Sequence, residues 1–287
     1  DRVTGEPVWP IIETPVPQTT VPGERTSASQ PIPTQPPGFD VQGYSEDDLI
    51  DFTPELRATA IEALANYTTG PIYTPASVVT PDNVGTLQLP GFGGGANWPS
   101  GAADPETGFV YVGSITNPTV LGLEPNLPAR PEDPDYTDYR MRGGLPDLPF
   151  GLPLLKPPYG RITAYDMNRG EIAWQIPNGD TPPAIQAQLD EAGLTNVPPT
   201  GSRAQAGLLV TKSLVIAGEG ANGQPYLHAY DKQTGQEIWR TRLPSGPQTG
   251  LPMTYSHLGK QYIIVAVNGN APGESGNAAQ LVAYKLP

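Results

Sequence analysis

Apolar positions along most of the chain come in short runs of Val, Ile, Leu and Tyr, each cut off by Gly, Pro, Asn or Asp. Gly108-Phe109-Val110-Tyr111-Val112, Ser213-Leu214-Val215-Ile216-Ala217 and Gln261-Tyr262-Ile263-Ile264-Val265-Ala266 have the length and β-branched content of strands, and turn formers bound them. Two segments carry helical spacing instead. Thr53 as N-cap, Pro54 at the first helical position and Glu55 in the first turn start one helix, with Leu56, Ala60, Ile61 and Leu64 on one face. A second, shorter helix is expected from Pro182 to Ala192, stopped by Gly193. Residues 10–44, rich in Pro, Thr and Gln, predict an extended, irregular strap, and residues 120–158 a second long Pro-rich loop. Loops of that length on a compact domain tend to shape a site or cover one.

The strand pattern repeats. Asp-x-x-x-Gly-x-x-x-Trp occurs at Asp1…Gly5…Trp9, Asp166…Gly170…Trp174 and Asp231…Gly235…Trp239, and the last two copies also share a preceding Ala-Tyr. Each copy reads as strand, tight turn, strand. The Asp side chain can bond its own turn backbone, and the Gly supplies a positive φ. The Trp then leaves the turn at a fixed place, where a large ring packs between neighbouring sheets. A second kind of hairpin precedes the repeat, as in Ser100–Asp104 with Gly108–Val112, Ala204–Val210 with Ser213–Ala217, and Leu251–Tyr255 with Gln261–Ala266. Two hairpins per unit make four strands, and four-stranded sheets recurring at roughly 40–65 residues are propeller blades. An open solenoid or sandwich with accidental repeats is the competing fold.

The ends of the pattern do not match. Asp1 to Trp9 supplies a turn and an outer strand with nothing before it, and Leu281–Pro287 supplies a third strand with no fourth after it. The expected fold is therefore all-β: about three four-stranded blades plus a partial one, in a closed ring of roughly four to eight, with a helical insertion. Residues 1–9 would end a blade, 10–90 form the strap and helical insertion, and 91–287 the remaining blades, all within one propeller domain. The other blades are expected from an N-terminal half, in the same or a separate chain.

Composition narrows the function classes. Pro (37) and Gly (33) together approach the content of low-complexity chains, but the recurring strands argue for order. A net charge of −13 repels phosphate backbones and anionic membranes, so nucleic-acid binding is not expected. Cys is absent, which excludes disulfides and thiolate metal sites. No apolar run approaches the ~18 residues of a membrane span, and the opening Asp1-Arg2-Val3-Thr4-Gly5 reads as a turn rather than a signal peptide.

Several segments carry a family likeness. Thr4-Gly5-Glu6-Pro7, Pro15-Val16-Pro17-Gln18, Asp47-Asp48-Leu49-Ile50-Asp51-Phe52-Thr53-Pro54-Glu55-Leu56, Gly95-Ala96-Asn97-Trp98 and Pro252-Met253-Thr254-Tyr255 resemble the membrane-type glucose/quinate dehydrogenase branch of the PQQ-dependent quinoproteins. The likeness runs in order along essentially the whole chain. It implies an eight-bladed propeller with PQQ and a divalent cation, usually Ca²⁺, on the axis. It also implies periplasmic oxidation of a sugar, polyol or alcohol, with electrons passed to a quinone or cytochrome. The family's general base, an Asp, and the Lys near the quinone carbonyls fall upstream of the point matching Asp1, as do the metal ligands. No catalytic or metal-binding residue is thus assigned here, and the isolated chain is expected to be inactive. A non-enzymatic propeller serving as a binding or assembly module is the alternative function.

The candidate cofactor contact is Gly95-Ala96-Asn97-Trp98. Small residues admit close backbone approach, the Asn97 amide could donate to a quinone oxygen or carboxylate, and Trp98 could line the ring edge. The resemblance places the segment at the axial end of an inner strand. The residues alone favour the plainer reading, a Gly-rich turn feeding a strand with Trp98 in the core. Trp9, Trp174 and Trp239 are expected to be structural, His228 and His257 satisfied or solvated, and Lys156 on the surface. Glu46-Asp47-Asp48 is expected to favour a helix dipole rather than bind calcium.

Overall fold

The Asp-x-x-x-Gly turn of the three repeat copies folds alike in the computed structural model. The Gly N–H donates to the Asp carbonyl at Gly5–Asp1 (2.8 Å), Gly170–Asp166 (2.8 Å) and Gly235–Asp231 (2.9 Å). Each Gly sits at positive φ: 77°, 68° and 74°. The Asp carboxylate accepts from turn amides, such as Val3 and Thr4 at Asp1 and Gln233 and Thr234 at Asp231. Residues 1–128, 132, 137–204, 207–221, 223–269 and 279–285 are described. Gln205 and Ala206 of one expected hairpin, several residues between 129 and 136, and the closing Leu286-Pro287 of the last expected strand lie outside them.

Elements are numbered in chain order. The strands are β1 (Ile11–Pro15), β2 (Ser29–Pro33), β3 (Ser77–Val78), β4 (Thr86–Gln88), β5 (Gly101–Asp104), β6 (Phe109–Ile115), β7 (Thr119–Pro125), β8 (Tyr139–Arg142) and β9 (Gly160–Asp166). There follow β10 (Glu171–Pro177), β11 (Leu208–Val210), β12 (Leu214–Gly218), β13 (Tyr226–Asp231), β14 (Glu237–Arg242), β15 (Met253–His257), β16 (Lys260–Val267) and β17 (Gln280–Lys285). The helices are α1 (Pro54–Ala63) and α2 (Pro183–Glu191). The chain divides into two compact units, Asp1–Gly94 with Asn117–Lys156 and Gly95–Thr116 with Pro157–Pro287.

The second unit holds the repeat. Strands β5, β6, β9 and β10 form one antiparallel four-stranded sheet, β11 to β14 another, and β15 to β17 a three-stranded one. Both four-stranded sheets bulge at the same place, so that Trp174 stands opposite Ala164 and Trp239 opposite Ala229. A small residue across from the indole leaves room for it, which explains the shared Ala-Tyr. Period-two alternation sends the two faces of β12 to different neighbours. Val215 and Ala217 join Tyr111, Ile162, Ala164 and Trp174 on the first sheet. Ile216 packs with Leu227, Ile263 and Val265 towards the third.

The first unit departs most from the sequence expectation. The strap is not wholly irregular: β1 and β2 pair antiparallel from Ile11↔Pro33 to Pro15↔Ser29. The turn at Asp1 is followed by no strand at Trp9, because a strand forms only against a partner, and β1 finds one from Ile11 onward. The Pro-rich stretch after 120 is not a continuous loop. Its β7 pairs with β3 in parallel and with β4 and β8 antiparallel. Strands this short, flanked by Gly and Pro, gain their order from long-range pairing, which local pattern does not register. Helix α1 starts as expected, with the Leu56 N–H donating to Thr53 Oγ1 (3.2 Å). Leu56, Ala60 and Leu64 are buried on it, but Ile61 is exposed. Helix α2 ends before Gly193, which takes φ 68°.

Candidate functional site

Gly95 to Trp98 form the lead-in to β5, at the sheet end opposite the Asp turns. The buried Gly95 offers its carbonyl to the Ile115 N–H (2.7 Å), which ties the segment to the end of β6. Asn97 caps a short 3-10 turn, Trp98–Ser100, with Oδ1 accepting from the Trp98 N–H (2.8 Å) and its carbonyl from the Ser100 N–H (2.9 Å). With Oδ1 engaged in the turn, the Asn97 Nδ2 donor has no partner among the described residues. Ala96 is half-buried and Asn97 exposed. Trp98 is 96% exposed, which overturns the plainer reading of a core indole. An exposed ring beside an amide donor is chemically available for contact.

Two buried polar clusters escaped the sequence reading. In the first, Lys232 of the third Asp turn reaches back to the first sheet, with Nζ donating to Asp104 Oδ2 at 2.5 Å, both side chains buried. Lys232, with help from Thr107 and the Glu106 amide, holds the Asp104 carboxyl down to about 2. The Lys232 carbonyl accepts from both Tyr111 Oη (3.0 Å) and Trp174 Nε1 (3.1 Å). The Trp of one sheet thereby docks on the turn of the next, its ring so close to Gly235 that a Cβ there would lie 2.8 Å away.

In the second cluster, His228 is held between two carboxylates, Nε2 3.0 Å from Glu219 Oε1 and Nδ1 2.7 Å from Glu237 Oε2. It also stacks on Tyr230 at 5.6 Å. Glu219 is fully buried and accepts from the Gln224 N–H (2.7 Å). Burial works against the imidazolium, but the hydrogen bonds and charges of Glu219 and Glu237 outweigh it and raise the pKa above 6.5. Overlaying the repeats puts His228 on Thr163, and that departure of the second copy was the available signal. His228 is satisfied, as the sequence suggested. His257 and Lys156 are exposed. Among the described residues, no group of three or more His, Asp or Glu side chains is placed to hold a metal ion.

Comparison with known proteins closes the question of ancestry. Residues 1–263 match the model of the PQQ family described as glucose/ethanol/alcohol dehydrogenase, β-propeller domain. The chain is 31% identical over 312 residues to a quinate/shikimate dehydrogenase (quinone) of Acinetobacter baylyi, covering 100% of this chain and 36% of that protein. It is 30% identical to the glycerol dehydrogenase large subunit of Gluconobacter oxydans, covering 100% of this chain and 41% of the relative. With the quinoprotein glucose dehydrogenase of Escherichia coli it shares 29% identity, over 100% of this chain and 37% of the relative. The chain spans well under half the length of these relatives, and they fall in several enzyme branches rather than one. It belongs to the PQQ-type glucose/ethanol/alcohol dehydrogenase β-propeller family.

Proposed function

We propose that these 287 residues are part of a PQQ-dependent dehydrogenase that oxidises a CH–OH group of a sugar, polyol or alcohol in the periplasm. Electrons pass on to a quinone or cytochrome. The observation that carries the reading is the solvent-facing Asn97–Trp98 pair at the head of β5, in a chain matched along its length by such enzymes. The sheets of the second unit are read as blades of an eight-bladed ring, completed by an N-terminal half of the protein. The general base and the Ca²⁺ ligands are assigned to that half. The glucose/quinate branch is the favoured placement.

The residues present fit one edge of the cofactor. Asn97 Nδ2 is free to donate to a quinone or carboxylate oxygen, and the indole of Trp98 offers a flat face. Gly95 and Ala96 keep the backbone beside them slim. When bound, PQQ takes up the reducing equivalents of the alcohol. The part of the chain described here would position it and exclude water from that edge.

Reconstitution of the full-length protein with PQQ and Ca²⁺ tests this. Dye-linked oxidation of glucose, quinate, glycerol or a simple alcohol is expected. Asn97→Ala and Trp98→Ala should each weaken PQQ binding about tenfold, roughly 1.4 kcal/mol. A protein that retains no PQQ and oxidises nothing in a broad polyol panel is instead the non-enzymatic propeller module.

A further inference from the structure

One group of buried polar atoms in the second unit lacks protein partners. At the turn end, the carboxylates of Asp104, Asp166 and Asp231 all accept hydrogen bonds within the protein. At the opposite end, Tyr159 Oη, Asn178 Oδ1, Thr200 Oγ1, Ser202 Oγ and Arg203 Nε are buried without a protein partner.

These groups are held together by backbone. The Tyr159 N–H donates to the Thr200 carbonyl (2.7 Å), the Ser202 N–H to Asn178 (2.9 Å) and the Asn178 N–H to Gly160 (2.9 Å). The start of β9 and the Gly201–Ser202 segment approach so closely that a Cβ on Gly160 would lie 1.7 Å from the Ser202 carbonyl oxygen, and one on Gly201 2.0 Å from that of Gly160. A cluster fixed this tightly cannot relax to satisfy itself. It also adjoins the Gly95–Trp98 segment. Ile115 donates to the Gly95 carbonyl, and the next residue, Thr116, donates to the Tyr159 carbonyl (2.8 Å).

Arg203 makes the cluster chemically specific. Its guanidinium lies 4.9 Å over the Tyr159 ring, and burial lowers its pKa. Among the described residues no carboxylate pairs with it, whereas Lys232 has Asp104 and Arg240 has Asp180. In a chain of net charge −13, a largely desolvated cation without a counter-ion is costly unless a ligand brings one. A planar guanidinium matches a planar carboxylate, and the unpartnered hydroxyls of Thr200 and Ser202 on the same segment are further donors for one.

We propose that Arg203, seated on Tyr159 and assisted by the Thr200 and Ser202 hydroxyls, is a receptor for an organic carboxylate. This deepens the dehydrogenase reading, on which it rests for the identity of the ligand but not for the binding itself. The carboxylate belongs either to the cofactor or to a hydroxy-acid substrate.

The test is calorimetric titration of the full-length protein with benzoate and with benzamide, its neutral isostere. Benzoate should bind at least tenfold more tightly. Arg203→Met should lose at least tenfold in benzoate affinity, and Arg203→Lys should lose less. If benzoate raises the apparent Kd for PQQ, the receptor serves the cofactor. If it competes with hydroxy acids, leaving PQQ affinity and neutral alcohols untouched, the receptor serves the substrate. Equal binding of benzoate and benzamide by the wild-type protein overturns the proposal, and so does a folded Arg203→Met variant that binds benzoate normally. Because titration needs no turnover, a protein that binds benzoate but oxidises nothing would sink the dehydrogenase reading alone.

Discussion

The β5-β6-β9-β10 and β11–β14 sheets are two copies of one design, with the same strand order, Asp turn and bulge. Their tryptophans nevertheless end in opposite conditions. Trp174 is 9% exposed, bonded to the Lys232 carbonyl and pressed on Gly235, whereas Trp239 is 45% exposed and meets Tyr284 edge-on at 6.0 Å. A repeat therefore specifies where the indole emerges, and the neighbouring sheet decides whether emergence becomes packing. The interiors differ as well. At equivalent positions, Thr163 accepts a neutral hydrogen bond from Gln175 Nε2 (2.7 Å), while His228 is gripped by two carboxylates.

Truncation of the two indoles should separate the copies most. Trp174→Ala is expected to cost about 3–5 kcal/mol in denaturant unfolding, against about 1 kcal/mol or less for Trp239→Ala in this chain. Equal losses would mean that docking on the Lys232 turn contributes nothing. Next comes His228→Thr, which copies the first sheet into the second and leaves buried Glu219 without its cation. A loss of about 3 kcal/mol is expected, and a neutral result would show the charged cluster dispensable.

The turns offer a finer comparison. Gly235→Ala incurs both left-handed strain and contact with Trp174, while a Cβ on Gly5 meets nothing within 4 Å. About 2 kcal/mol is expected for the first and about 1 for the second, the difference measuring the contact alone.

Smallest, and the most diagnostic, is pH dependence. The pKa of His228 is raised on folding, so its contribution is full below 6.5 and lost as pH rises through the higher native value. Asp104 is lowered from 3.8 to about 2, so its contribution is present above 3.8 and lost as pH falls towards 2. Melting temperature against pH should therefore decline at both ends. His228→Thr should flatten the alkaline limb and Asp104→Asn the acid one.

Much of the second unit was legible, because a hairpin turn is a local object. Asp166…Gly170 and Asp231…Gly235 bring their own acceptor and their own positive φ. The first unit was less so. Strands β3, β4, β7 and β8 join residues far apart in sequence, and the Gly and Pro around them read as loop. At the candidate site, Asn97 and Trp98 were singled out by chemistry and resemblance together, but neither the turn that Asn97 caps nor the exposure of Trp98 was legible, since an indole beside a strand is ordinarily buried. The Tyr159–Arg203 cluster was invisible, because its members come together only where β9, the end of β10 and the segment before β11 converge.

By itself the sequence determined the turns, the α1 cap and the repeat of strands, since each depends on neighbours a few residues away. It also determined the chemistry on offer at Gly95–Trp98. Tertiary structure alone decided which indole is docked, which His is caged by carboxylates and that Arg203 meets no carboxylate among the described residues. Burial and pairing over long separations set those outcomes. The Trp at the ninth position of the repeat is core in the first sheet, where the Lys232 turn lies across it, and part-exposed against Tyr284 in the second.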